Sequence, residues 1–242
     1  MVLPLYDHSP FKWPTPPYVT WALIAANVVV FLLQSALTVE QNAVLATLAG
    51  LTPAGFTDRD FPEPALWALL TLITHAFLHA NFWHVAGNMI FLWVFGDDVE
   101  EALGHARFLL FYLICAAGSG AVYVASDPGS RLSLIGASGA VAGVVAAYLL
   151  FRPCEKVTVL VFVVPVRIRS FWVIGGWAIW QVLEVASRQH DGVAYWAHVG
   201  GLAIGALCFV LMRPPGVPLF ECAQVQPVLA EGEGAGPPRT PR

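Results

Sequence analysis

The chain is predicted to be an all-α polytopic membrane protein: a bundle of six transmembrane helices with a long first loop and a disordered C-terminal tail. Three observations carry this expectation. Of 242 residues, 57% are hydrophobic and 12% are charged, more apolar surface than one soluble domain buries. Windows free of Asp, Glu, Lys and Arg recur at close to the roughly 20 residues needed to cross a bilayer core about 30 Å thick. With the N-terminus inside, Lys12, Arg107, Arg152, Lys156, Arg167, Arg169, Arg213, Arg239 and Arg242 fall on the cytoplasmic side, and only Arg59, Arg131 and Arg188 fall outside. That bias follows the positive-inside rule.

In chain order, residues 1–17 form a cytoplasmic N-terminal segment. Span one covers residues 18–37, and its apolar run is too long for a cleaved signal peptide. The loop 38–80 contains Pro53, Pro62, Pro64 and Trp67 and is expected to lie partly in the membrane interface. The uncharged run 64–96 is too long for one helix, so its second half, from about residue 81, is span two. Spans three and four occupy 108–126 and 132–151, span five 170–187 with Glu184 near one end, and span six 192–212. The apolar run 157–166 is too short to cross and reads as an interfacial or extended connector.

From Pro214 onward the composition turns to Pro, Gly, Glu and Ala, which cannot bury enough apolar surface to order itself. The chain therefore divides into 1–17, a membrane domain 18–212, and a tail 213–242. Cys115 and Cys208 lie in spans and Cys154 and Cys222 outside them, with no C-x-x-C, so neither a disulfide nor a thiolate metal site is expected. The net charge is −4 and no basic run occurs, which argues against nucleic acid as a partner. The partner implied by composition is the lipid bilayer.

Within these apolar segments a few polar residues stand out. Ser138 sits among small residues in Gly136-Ala137-Ser138-Gly139, and His198 follows in Ala197-His198-Val199-Gly200-Gly201. Spans two, four and six enter from the same outer face, so offset from the span start measures depth. Ser138 and His198 each lie about six residues in, roughly 9 Å below the boundary at 1.5 Å per residue. His84 and Asn88 fall in the same layer, and their i, i+4 spacing puts them on one helix face. Unpaired polar groups are costly in hydrocarbon, so these four should face one another or a wet cavity. Gly139-x-x-x-Gly143 and Gly201-x-x-x-Gly205 are small-residue stripes that let helices four and six approach closely.

A serine needs a base to take its proton as it attacks a carbonyl, and His198 is the available one. His84, Asn88 and the Ser138 backbone N–H could donate to the resulting oxyanion. No carboxylate accompanies the pair in spans four or six, which makes it a dyad; Glu184 is the only intramembrane candidate for a third member, and anchoring explains it as well. Asn27, Gln34 and Gln181 are assigned to helix-to-helix hydrogen bonding, and His105 and Arg107 to solvated positions.

At these residues the chain resembles the rhomboid family of intramembrane serine proteases. Gly136-Ala137-Ser138-Gly139 is similar to the family's G-x-S-G nucleophile motif, and Ala197-His198 with Gly200, Gly201 and Gly205 to its catalytic-histidine helix. His79-x-x-x-x-His84-x-x-x-Asn88 resembles its H-x-x-x-x-H-x-x-x-N motif, whose second His and Asn serve the oxyanion. The run 96–104, Gly-Asp-Asp-Val-Glu-Glu-Ala-Leu-Gly, is similar to the acidic turn after span two, with Glu100 as its structural carboxylate. The resemblance covers about residues 18–212 and implies a rhomboid-like bundle that cuts substrate transmembrane helices near their outer ends. It also implies that span five, with Trp172, Trp177 and Trp180, borders a lateral entry route; ordinary interfacial anchoring is the plainer reading of those tryptophans. One departure is visible. Many members carry an aromatic residue four positions after the serine, stacked on the histidine, and here Ala142 stands there.

His75-x-x-x-His79 has metal-ligand spacing, but no H-E-x-x-H accompanies it. No metal or cofactor is expected, and His79 is assigned to bracing the first loop. Two other function classes are open to such a chain: a small-solute transporter, which should carry polar groups through the whole depth, and a catalytically silent rhomboid-like scaffold, which would not need both Ser138 and His198. The expected location is a bacterial plasma membrane, with the site opening to the outer face.

Overall fold

The structure, a computed structural model, describes residues 2–7, 15–58, 60–61, 65–187 and 193–222. Lys12, Arg59, Pro62, Pro64, Arg188, Arg239 and Arg242, and the tail beyond residue 222, lie outside the described residues. In chain order the elements are β1 (Val2–Asp7), α1 (Tyr18–Ser35), α2 (Val39–Ala49), α3 (Ala54–Thr57), α4 (Ala65–Thr74), a 3₁₀ turn (His75–Phe77), α5 (Phe82–Leu103), α6 (His105–Ser126), α7 (Ser138–Phe151), β2 (Lys156–Val161), β3 (Val164–Arg169), α8 (Ser170–Ser187) and α9 (Tyr195–Met212).

The architecture is mostly helical, and its centre is α7. This helix is apolar all round and buried on nearly every side, as a helix without a polar face must be. It packs against α5, α6, α8 and α9. Around it α1, α6 and α9 are long and apolar enough to cross a membrane. α5 carries four carboxylates in its last turns, α7 has 14 residues, and α8 includes Glu184. Outward-facing side chains such as Leu33, Trp83 and Leu211 are 66–79% exposed, a surface suited to lipid rather than water.

Helix boundaries account for most departures from expectation. Span four, expected over 132–151, becomes helical only at Ser138, because Gly136 adopts φ +124°, a conformation open to glycine and closed to a helix. The preceding residues run extended: Leu51 and Leu134 exchange backbone hydrogen bonds of 3.0 and 2.8 Å, and Gly136 N–H donates to the His75 carbonyl at 2.9 Å. Span six likewise starts at Tyr195 rather than 192. The first loop is largely helical, holding α2, α3 and α4. A capping box between Thr38 and Gln41 starts α2.

The acidic run after span two is no turn. It forms the final turns of α5, which ends only at Gly104, where φ is +78°. There the buried Glu100 carboxylate accepts the N–H groups of Val19 and Thr20, at 2.9 and 2.7 Å, and the Thr20 hydroxyl at 2.7 Å. It thus caps the N-terminus of α1, where unpaired N–H donors and the helix dipole favour an anion. His105, expected to be solvated, joins the same carboxylate through Nδ1.

Three further corrections concern the end of the bundle where α7 stops. The fold is not purely helical: the connector 157–166 and the N-terminal segment build an antiparallel sheet in the order β1-β2-β3. The first part of the tail is ordered, with Phe220 and Glu221 donating to the Leu150 and Phe151 carbonyls at 2.7 and 2.9 Å. Cys154 and Cys222 form a disulfide across a Cα separation of 5.1 Å. Their sequence separation of 68 offers no spacing signal, and only the return of the tail beneath α7 brings them together.

Arg152 ties this end to α5. Its guanidinium lies 2.8 Å from Asp98 and 3.5 Å from Glu101, with all three side chains buried, and the Tyr148 hydroxyl donates to Asp7 of β1 at 2.9 Å. Removing one partner of a buried ion pair leaves an uncompensated charge, so Arg152→Ala is expected to cost about 3–5 kcal/mol of stability. The measurement is the thermal unfolding midpoint in detergent. An unchanged midpoint would show that the cluster contributes nothing to the folded state.

Candidate active site

Ser138 is the first residue of α7 and His198 the fourth of α9. Both helices start later than expected, so the two residues lie nearer their helix ends than six positions while still sharing a level. Their side chains meet: His198 Nε2 stands 2.8 Å from Ser138 Oγ. Backbone N–H groups in the first turn of a helix have no intrahelical acceptor, so the start of α7 presents donors beside the hydroxyl.

Close approach of α7 and α9 is built into glycine. A Cβ at Gly201 would overlap the Gly139 carbonyl, and one at Gly205 would overlap the Gly143 backbone. A Cβ at Gly139 would strike the Ser119 hydroxyl of α6. Gly201 and Gly205 thus let α9 settle on the α7 backbone, and Gly139 lets α6 do the same, until a serine and an imidazole are in hydrogen-bond reach.

His79, His84 and Asn88 gather around the extended segment that leads into α7. Asn81 caps α5 by accepting the His84 N–H at 3.0 Å, which sets the His84 side chain against Gly136. A Cβ at Gly136 would come within 2.6 Å of the His84 ring at Cε1 and Nε2. His79 packs edge-on against His84, with ring centroids 5.1 Å apart. Its Nε2 lies 3.0 Å from Asn88 Nδ2 and 3.5 Å from the Ala137 N–H. Asn88 is therefore engaged with His79, while His84 stands closest to the backbone beside Ser138. Gln34 braces the His79 backbone from α1, accepting its N–H at 3.0 Å.

Gln181 of α8, expected to make a helix-to-helix hydrogen bond, makes one, and its partner, which the sequence did not identify, is His198 of α9. The Gln181 Oε1 lies 2.7 Å from His198 Nδ1, on the ring edge opposite Ser138. Glu184, the intramembrane carboxylate that could have been a third member, instead accepts the Trp180 indole N–H at 2.6 Å. The ring support missing at Ala142 comes from two other aromatics: Trp177, tilted 36° at 6.2 Å, and Tyr195, edge-on at 6.3 Å. The available signal was a single uncharged polar residue in an otherwise apolar stretch, four positions after a tryptophan.

The arrangement defines a helical membrane protein with a serine–imidazole contact held between two glycine-striped helices. The chain belongs to the rhomboid family: the Rhomboid domain model matches residues 66–215. The family includes serine proteases. The chain is similar to rhomboid protein 1, mitochondrial, of Saccharomyces cerevisiae, 32% identical over 143 residues, 57% of this chain and 40% of that protein. It is 27% identical over 203 residues to rhomboid-type serine protease 2 of Emericella nidulans, 79% of this chain and 37% of that protein. To the rhomboid protease GlpG of Salmonella typhi it is 25% identical over 195 residues, 79% of this chain and 62% of that protein. Matches to three mitochondrial and chloroplast relatives span 40–51% of their lengths.

Proposed function

We propose that the chain is an intramembrane serine endopeptidase that hydrolyses peptide bonds near the outer ends of substrate transmembrane helices. The observation that carries this reading is the 2.8 Å contact between Ser138 Oγ and His198 Nε2 inside an apolar helical bundle. A structural serine in such a bundle is satisfied by a helix carbonyl, as Ser119 is by Ala116; Ser138 faces an imidazole instead.

In the proposed reaction Ser138 Oγ attacks the scissile carbonyl carbon as its proton passes to His198 Nε2. The tetrahedral oxyanion is met by donors from His84, Asn88 and the Ser138 N–H. His198 then gives its proton to the departing amine nitrogen as the C–N bond breaks, leaving an acyl-enzyme ester on Ser138. Water repeats the sequence: it loses a proton to His198, attacks the ester, and the proton returns to Ser138 Oγ as the acid product leaves. His79, Gly136, Gly139, Glu100, Gly201 and Gly205 support the geometry.

The proposed topology has six spans, α1, α5, α6, α7, α8 and α9, with residues 18–212 as the protease domain and both ends cytoplasmic. Support comes from the distribution of Lys and Arg and from the position of the site at the N-terminal ends of α7 and α9, the ends assigned to the outer face. There water can reach the acyl-enzyme without crossing the bilayer core.

The test is covalent labelling of the purified wild-type protein with a fluorophosphonate probe, followed by mass spectrometry. A single adduct is expected, on Ser138. A folded protein that takes no adduct there would overturn the proposal and favour a scaffold that binds membrane helices without cutting them.

A further inference from the structure

We infer that Gln181 is a positioning residue that fixes the tautomer and orientation of His198, in the place where a serine protease of the triad kind has a carboxylate. The inference rests on the serine–histidine reading above and deepens it. A base can take the Ser138 proton through Nε2 only if that nitrogen carries a lone pair, which requires the ring proton to sit on Nδ1. The 2.7 Å contact between Nδ1 and Gln181 Oε1 enforces this state. An amide oxygen can only accept, so Nδ1 must donate, and Nε2 is left free to accept from Ser138. Rotating the amide to present its NH₂ would reverse both ring nitrogens and place a donor against the hydroxyl.

Burial explains why a neutral group holds this position. Gln181 is 2% exposed on a helix whose neighbouring side chains Ile179, Val182 and Leu183 face outward. A carboxylate there would carry the desolvation cost of a buried charge, whereas an amide loses far less. Trp177 lies one helical turn before Gln181, so both reach His198 from the same face of α8, one against the ring plane and the other on its edge. Together they stand in for an aromatic four residues after Ser138, where the Ala142 methyl is too short to support the ring. Phe91 in turn packs against Trp177, with centroids 6.4 Å apart, tying the support to α5.

Three full-length variants, Gln181→Met, Gln181→Glu and Ser138→Ala, test the assignment against a single-span reporter in bilayers. Gln181→Met keeps the length of the side chain and removes the acceptor. It is expected to lower kcat about 100-fold, as a misplaced reacting group can, with KM unchanged and only a small fall in the unfolding midpoint from the unpaired Nδ1–H. Gln181→Glu restores an acceptor and is expected to recover most of that loss. If Gln181→Met does not fold, Gln181→Asn, one methylene too short to reach the ring, must show the same kcat loss. Wild-type kcat in Gln181→Met beside an inactive Ser138→Ala would overturn the positioning role alone. Equal kcat losses in folded Met and Glu variants would overturn it too, because packing and not the acceptor would then matter. Undiminished cleavage by Ser138→Ala would remove the dyad, and with it any role for Gln181.

Discussion

Ser138→Ala is expected to abolish cleavage of a single-span reporter while leaving the protein folded. Only a hydroxyl is lost, and its contact is with His198 Nε2 at 2.8 Å, so α7 keeps its packing and no buried charge is stranded. What disappears is the proposed nucleophile. In a serine protease the serine and its histidine act as a unit, and loss of either lowers kcat on the order of a million-fold; against a membrane reporter that is indistinguishable from zero. His198→Ala should match it in cleavage yet fall somewhat in stability, because it empties the space between Trp177 and Tyr195 and leaves Gln181 Oε1 without its donor. Gel-based cleavage in bilayers, run beside a thermal unfolding trace, decides the matter. Residual cutting within tenfold of wild type by folded Ser138→Ala would mean that the hydrolytic chemistry lies elsewhere.

Gly205→Val is the second large effect, and it acts without touching a reacting atom. A Cβ at residue 205 would overlap the Gly143 Cα and carbonyl, and backbone cannot step aside as a flexible side chain can. α9 must move off α7. Overpacking of this kind costs about 1–3 kcal/mol, and a displacement of about 1 Å between reacting groups costs a further 100-fold in rate. Both the unfolding midpoint and fluorophosphonate labelling of Ser138 should therefore fall. Gly175→Ala in α8 is the internal control: nothing lies within 4 Å of its would-be Cβ, so stability and labelling should hold. If Gly205→Val behaves like Gly175→Ala, helix contact is not what brings the serine to the histidine.

The two halves of the site differed in how far they could be read. Ser138 and His198 were recognisable because a hydroxyl and an imidazole in hydrocarbon need a partner, and counting residues from each helix start put both at one level. The count itself did not hold: Gly136, at φ +124°, delays α7 to Ser138 while α9 begins at Tyr195, so the two residues are first and fourth in their helices, and it is the packing of α9 on α7 that brings their side chains together. The glycine stripes were legible for a similar reason, as small residues at i, i+4 have one common use between membrane helices. Gln181 had no such signature. A lone glutamine in an apolar helix gives no direction, and its meaning depends on which face of α8 meets α9.

The same contrast holds for the whole chain. By itself the amino-acid sequence determined that the protein is a membrane helix bundle, and where its main helices run, because lipid forces each spanning segment to satisfy its own backbone and so writes the fold as runs of apolar residues. Only the tertiary structure decided the three-stranded sheet, the Cys154–Cys222 disulfide, the capping of α1 by Glu100 and the docking of Gln181 on His198. Each joins separate segments of the chain through a few hydrogen bonds, one covalent bond or a strand register. Such contacts depend on how helices turn and pack against one another, and neither periodicity nor composition records that rotation.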